Sequence, residues 1–151
     1  MAISPPKSHC EGLEVLNLLN DLSDDKAAIT AVLKKYQDAL NESSTSSVLE
    51  LYTADGVFMA QHFQTAVGTE QVREAYDKTF NLITLSVEFN IIEVVPVSDE
   101  WAFARTASAG TTKVKAGGGG AEANQELFVL QKIDGYWKIA RYCFSTTNPP
   151  H

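Results

Sequence analysis

The sequence predicts an α+β fold: a curved mixed or antiparallel sheet forming a cone around a long N-terminal helix, with two further helices beside it. Three observations lead there. Apolar residues Ile29, Val32, Leu33, Tyr36 and Leu40 recur at the spacing of one helix face. The period then changes, with Leu85, Val87, Phe89 and Ile91 alternating against Ser86, Glu88 and Asn90 as in a half-buried strand. Further long strand-like runs follow to the end of the chain, so helices come first and strands last.

Residues 1–22 are expected to be a tail and a short extra helix, 23–148 the domain proper and 149–151 a C-terminal tail. Pro5, Pro6, His9 and Cys10 fit a terminal tail, and two neighbouring ligand types do not make a zinc site. Leu13, Val15, Leu16, Leu18, Leu19 and Leu22 give the extra helix apolar surface that needs a cover, either over a pocket mouth or against a neighbouring subunit. Ser23 is placed to cap the long helix, with Asp24 and Asp25 where the helix dipole favours negative charge. The polar break at 41–47 offers Ser44, Thr45 or Ser47 as a cap for the second helix, Ser47 having capping-box spacing to Glu50. Thr53-Ala54-Asp55-Gly56 is expected to turn the chain into a strand at Val57, Asp55 supplying turn chemistry. His62 falls in the loop that follows. The third helix begins at Gly68-Thr69-Glu70, with Val72, Ala75, Tyr76, Phe80 and Ile83 on its apolar face.

In the strand that starts near Leu85, the alternation slips at Ile92, the mark of a β-bulge that bends the strand. After a turn at Ser98-Asp99-Glu100, Trp101, Phe103 and Arg105 share one face of the next strand. Ala102, Ala104, Thr106 and Ser108 share the other. The four glycines 117–120 lie between strands and lack a following Lys-Ser/Thr, so they fit a hairpin tip rather than a phosphate loop. Asp134-Gly135 is a strong hairpin dipeptide joining the last two strands.

Composition narrows the partners. Twelve Lys and Arg stand against 19 Asp and Glu, a net charge of −7. Such a chain repels phosphate backbones and lacks basic clusters for anionic membranes, so no nucleic-acid or membrane partner is expected. No apolar run approaches the ~20 residues of a membrane span. Glu14, Asn17 and Asn20 interrupt the only candidate signal-peptide block. Two cysteines, Cys10 and Cys143, make no disulfide framework, and a cytoplasmic location with reduced thiols is expected.

The runs ITAVLKKYQDALN, LYTADGVFM, VGTEQVREAYDKTF, DEWAFAR and DGYWKIARYCFST, in that order and spacing, resemble the ketosteroid isomerase-like and SnoaL-like group of the nuclear transport factor 2-like superfamily. The resemblance covers roughly residues 24–147 and is greatest to the SgcJ/EcaC-like members. It implies a cone of curved sheet around the first helix and a homodimer packed through the sheet. True ketosteroid isomerases use a helix tyrosine and a protonated aspartate as an oxyanion hole, with a second aspartate moving the proton. Carried over, the tyrosine matches Tyr36. The proton-moving aspartate falls at Ala60, which cannot accept a proton, so steroid isomerisation is not expected. The oxyanion acid falls in the stretch holding Asn124, Glu126 and Val129, the register being open.

Two functions from different classes follow. One is a cofactor-independent isomerase, cyclase or dehydratase, with Tyr36 as hydrogen-bond donor and His62 or Glu126 as base, and with no metal. A glutamate buried in an apolar cone would have its pKa raised towards neutrality, as suits such a base. Its pocket would include Tyr52, Phe58, Ala60 and Phe103, with Asn124, Tyr142 and Phe144 from the late strands, and hold a small apolar or carboxylate-bearing ligand. The other is a non-catalytic ligand-binding or dimerisation module. Glu126 has the competing reading of an outward residue paired with Arg105. Arg105 and Arg141 are expected in salt bridges on the outer or dimer face, with carboxylate recognition as the alternative.

Overall fold

The computed structural model describes residues 7–148, with side chains from 12 onward; Pro5, Pro6 and the C-terminal tail lie outside it, as do the side chains of His9 and Cys10. Three helices precede or interrupt the sheet: α1 (Lys7–Asn41), α2 (Thr45–Glu50) and α3 (Gly68–Leu82). The strands are β1 (Tyr52–Met59), β2 (Ala66–Val67), β3 (Ile83–Pro96), β4 (Trp101–Val114), β5 (Gly119–Ile133) and β6 (Tyr136–Thr146). They form one open, mixed sheet in the order β2-β1-β6-β5-β4-β3, in which β1 runs parallel to β6 and every other pair is antiparallel. The chain is thus an α+β fold, a curved sheet around a long helix.

The stripe on α1 that sequence periodicity marks is the stripe the sheet buries. Ile29, Leu33, Tyr36 and Leu40 are 0–7% exposed, each aliphatic member contributing about 1.5–3 kcal/mol by its removal from water. Amides on the same helix also bind the free edge of β3. Asn41 Nδ2 donates to Val87 O at 2.9 Å, and its Oδ1 accepts from Val87 N at 2.8 Å. Gln37 Oε1 accepts from Phe89 N at 2.8 Å. Gln37 and Asn41 are one helical turn apart, and together they satisfy strand groups that would otherwise template another strand.

Two element boundaries depart from expectation. The extra helix and the long helix are one continuous α1, without a start at Ser23. No Gly or Pro occurs from Leu13 to Asp55, and a cap worth about 1 kcal/mol does not halt a helix whose following turns are buried. Likewise 53–56 is not a turn but part of β1, with a register shift against β6 between Tyr52 and Val57. Pairing with β6 absorbs the Asp-Gly pair as a bulge. Ser44 is the N-cap of α2, accepting from Ser47 N at 3.3 Å. The slip at Ile92 is a register shift between Ile91 and Glu93 against β4. Asp134 and Gly135 take the paired positive φ values, 51° and 84°, of the expected tight hairpin.

Candidate active site

The concave side of the sheet, α1 and α3 enclose a cavity of about 640 Å³, within the range of small-molecule sites. Strand register builds one wall. Phe58, Tyr142 and Phe128 sit opposite one another on β1, β6 and β5. Their rings stack in sequence, Phe128 on Tyr142 at 4.2 Å and Tyr142 on Phe58 at 5.6 Å between centroids. Tyr76 of α3 continues the stack on Phe58 at 4.6 Å. Tyr36 meets Tyr142 and Phe128 edge-on, at 5.4 and 5.6 Å, the arrangement aromatic quadrupoles favour.

Three buried hydroxyls form a chain behind that wall. The Tyr76 hydroxyl lies 2.6 Å from that of Tyr36 and 2.7 Å from that of Tyr52. A phenol donates once and accepts twice. With Tyr52 donating to Tyr76 and Tyr76 to Tyr36, the Tyr36 hydrogen is left to point at a ligand oxygen. Burial pushes the Tyr36 phenol well up; hydrogen bonding to Tyr76 and Tyr142 offsets part of this, and the Glu126 charge raises it further. Tyr36 is therefore a donor that keeps its proton. Burial likewise holds Tyr52, Tyr76 and Tyr142 well above the usual phenol range. The cavity is lined by Tyr36, Tyr76 and Tyr142, with Tyr52 one layer behind.

The polar floor comes from β5, whose alternation turns Glu122, Asn124 and Glu126 to the cavity. Glu126 is 5% exposed. Its Oε1 accepts from Thr106 Oγ1 and its Oε2 from Ser108 Oγ, each at 2.5 Å. Thr106 stands directly across the ladder on β4 and Ser108 two residues on, so both reach the same carboxyl. Burial raises the Glu126 pKa above 4.5, the two hydroxyls pull it back and the charge of Glu122 adds to the rise. Asn124 Nδ2 donates to Glu122 Oε1 at 2.8 Å, and Thr112 Oγ1 donates to the other Glu122 oxygen. Desolvation outweighs the hydrogen bonds, so the carboxyl is a stronger base than an exposed glutamate.

Tyr36, Asn124 and Glu126 thus face one cavity with Phe58, Ala60, Tyr142 and Phe144. His62 also borders it, but from the exposed loop after β1 with φ 68°, where its Nε2 lies 2.9 Å from Gln61 Nε2. It stands at the mouth, apart from the Glu126 cluster. Phe103 does not line the cavity. It lies on the outer face of β4, because the inner positions Ala102 and Ala104 pair with Leu130 and Phe128, whose bulk fills the space. Glu126 is not the partner of Arg105, which pairs with Glu93 at 2.6 Å on the outer face. Arg141 donates to Asp55 O at 3.1 Å, also away from the cavity. Lys78 is the one Lys or Arg among the described lining residues. Its Nζ stands 5.7 Å from the Phe63 ring at the mouth.

Sequence reasoning missed Tyr76, Thr106, Ser108 and Glu122 as site residues. Tyr76 had the same signal as Tyr36, a phenol inside an apolar helical stripe four residues from Val72 and Phe80. Thr106 and Ser108 were legible as one face of β4, but not as the face turned inward. Among the described residues no group of three or more His, Cys, Asp or Glu side chains has the geometry of a metal site, and no helix is long and apolar enough to cross a membrane.

Residues 33–142 match the SnoaL-like domain family. A ketosteroid isomerase-like protein from Erwinia carotovora atroseptica is 39% identical, with a TM-score of 0.79 over 82% of this chain and 96% of its own. A candidate scytalone dehydratase from Novosphingobium aromaticivorans shares the fold at 18% identity, TM-score 0.77, over 86% and 89% of the two chains. A hexachlorocyclohexane dehydrochlorinase does so at 12% identity, TM-score 0.76, over 85% and 88%. No curated protein matches the chain.

Proposed function

The chain belongs to the SnoaL-like domain family, and on that premise we propose that it is a small-molecule enzyme of isomerase or lyase type, moving a proton on a small, mostly apolar substrate. One observation carries the reading: a buried carboxyl with a raised pKa and a phenol that keeps its proton line the same cavity. Glu126 takes a proton from carbon next to a carbonyl or leaving group. Tyr36 donates to the oxygen on which charge develops, backed by Tyr76 and Tyr52. The reaction draws on these side chains without an organic cofactor. Lys78 meets a carboxylate, where the substrate has one, at the mouth. The ketosteroid isomerase-like relative, 39% identical, supports an isomerase-type reading.

The test is binding of substituted phenols, which mimic an enolate, followed by fluorescence. Affinity is expected to rise with phenol acidity and to fall ~10–100-fold in Tyr36→Phe. Absence of binding, or binding indifferent to Tyr36, contradicts the reading. Ala60, where the resemblance would put the proton-moving acid, favours a second reading, a non-catalytic pocket. Phenol binding without proton exchange into any ketone would establish that alternative.

A further inference from the structure

Glu122 borders the cavity, yet both its oxygens are engaged within the protein. Asn124 Nδ2 donates to Oε1 at 2.8 Å, and Thr112 Oγ1 donates to Oε2. Gly110 stands across the ladder from Glu122, and Thr112 lies two residues further along β4. Gly110 brings no side chain between them, and a Cβ there would run into Ser86 O and Val87 Cα of β3. The close approach of β3 thus keeps the Thr112–Glu122 contact open.

A carboxylate only accepts, so Glu122 decides which end of the Asn124 amide faces it. The amide nitrogen turns to Glu122 and the amide oxygen turns away. Asn124 is 8% exposed and lines the cavity. Among the described residues nothing donates to its Oδ1, and no fully enclosed side-chain N or O atom lacks a partner. The oxygen is therefore open to the cavity. Its neighbours on the floor have the same polarity. Ser108 Oγ commits its hydrogen to Glu126, and Glu126 as the base also accepts. A ligand group that meets this floor has to donate.

We propose, resting on the isomerase or lyase reading of this cavity, that Asn124 held by Glu122 is the specificity-determining acceptor for a hydroxyl group on the substrate. The substrate class is then a hydroxylated carbonyl compound. A neutral hydroxyl fits better than an ammonium group, because the Glu122 oxygens are already taken and the atom left facing the ligand belongs to an uncharged amide. Asn124 and Glu126 are two residues apart on one face of β5, about 6–7 Å along the strand. The hydroxyl is thus set to one side of the carbon that gives up its proton. A substrate lacking it would cover Asn124 Oδ1 and leave it unpaired, which a site of this kind discriminates against.

Fluorescence titration of a series of phenols tests this. Each probe carries a second hydroxyl at a different ring position. Each is paired with its methyl ether at that position and with an aminomethyl analogue, cationic at neutral pH. The readout is the ratio of affinities within a pair. In the wild type the best dihydroxy probe is expected to bind about 10-fold more tightly than its ether. Asn124→Leu, which is close in size, should bring that ratio within about 2-fold of unity. Glu122→Lys offers donors only and draws the amide oxygen to itself, so the ether should bind as well as the hydroxyl or better. Thermal melting checks that each variant is folded. Should Asn124→Leu not fold, Glu122→Lys decides, since Glu122 is only half-buried. A wild-type ratio near unity, with phenols still bound through Tyr36, overturns this inference alone. So does a ratio that survives in Glu122→Lys, or tighter binding of the cationic probe. Absence of any phenol binding overturns it together with the reading it rests on.

Discussion

Tyr36 serves a ligand only while its hydrogen is not spent on Tyr76. The order of donation along Tyr52, Tyr76 and Tyr36 therefore decides what the site can do. An oxyanion in the cavity selects the order that points the Tyr36 hydrogen outward, each phenol polarising the next. A graded series is expected in proton-exchange rate: Tyr36→Phe the largest loss, Tyr76→Phe a smaller one and Tyr52→Phe the smallest. Equal losses from all three would mean a merely structural cluster. Glu126→Gln should cost ~10²–10⁴-fold in rate. The sign with pH differs between rate and stability. Because burial raises this carboxyl above 4.5, its base form, and with it the rate, grows as pH rises through the raised value. The folded protein holds that proton more tightly than the unfolded chain. Its stabilising effect is complete below 4.5 and is lost as pH rises through the folded pKa. Melting temperature followed across that window should fall less in Glu126→Gln than in the wild type. Ser108→Ala, which removes one donor to the carboxylate, should move the acidic limb of the rate profile upward.

At the level of elements, Gly56 links the bulge in β1 to the hydroxyl chain. A Cβ there would meet Tyr52 Cδ1 at 2.7 Å and Thr53 O at 3.0 Å. The Tyr52 ring is 5% exposed and has little room to move. Gly56→Ala should therefore destabilise by about 1–3 kcal/mol and reproduce the kinetic effect of Tyr52→Phe, measured by chemical denaturation and exchange rate. Much of this level was legible in the sequence. The α1 core stripe, the slip at Ile92 and the Asp134-Gly135 turn are local patterns, and local patterns survive folding. The start of β1 was not legible, because the turn chemistry of Asp55-Gly56 is outweighed by pairing with β6, more than eighty residues away in the chain. For the same reason the meeting of Tyr36, Tyr52 and Tyr76 could not be read. Each phenol sits on a different element, and only α3 crossing the sheet brings them together. The inward face of β4 depended on where bulk lies on β5, a cross-strand fact. For that reason the sequence alone points Phe103 at the cavity, while Ser108, which lines it, and Thr106, which holds Glu126 there, are not legible as site residues.

In the whole molecule, the cavity has one apolar aromatic wall and one acidic floor, in a chain of net charge −7. That field disfavours dianionic ligands and leaves room for neutral ones, or for a single carboxylate that stays at the mouth near Lys78. Lys78→Ala is expected to weaken carboxylate-bearing ligands ~3–10-fold at low salt while leaving neutral phenols unchanged, as paired binding titrations would report.

The decisive measurement of proton transfer between Glu126 and a substrate held by Tyr36 is deuterium incorporation next to the carbonyl of a small aryl ketone, followed by NMR for wild type, Tyr36→Phe and Glu126→Gln side by side. Exchange well above buffer is expected in the wild type, with a rate that rises with pH through the raised Glu126 value and is lost in both variants. Exchange that persists unchanged in Glu126→Gln would contradict it.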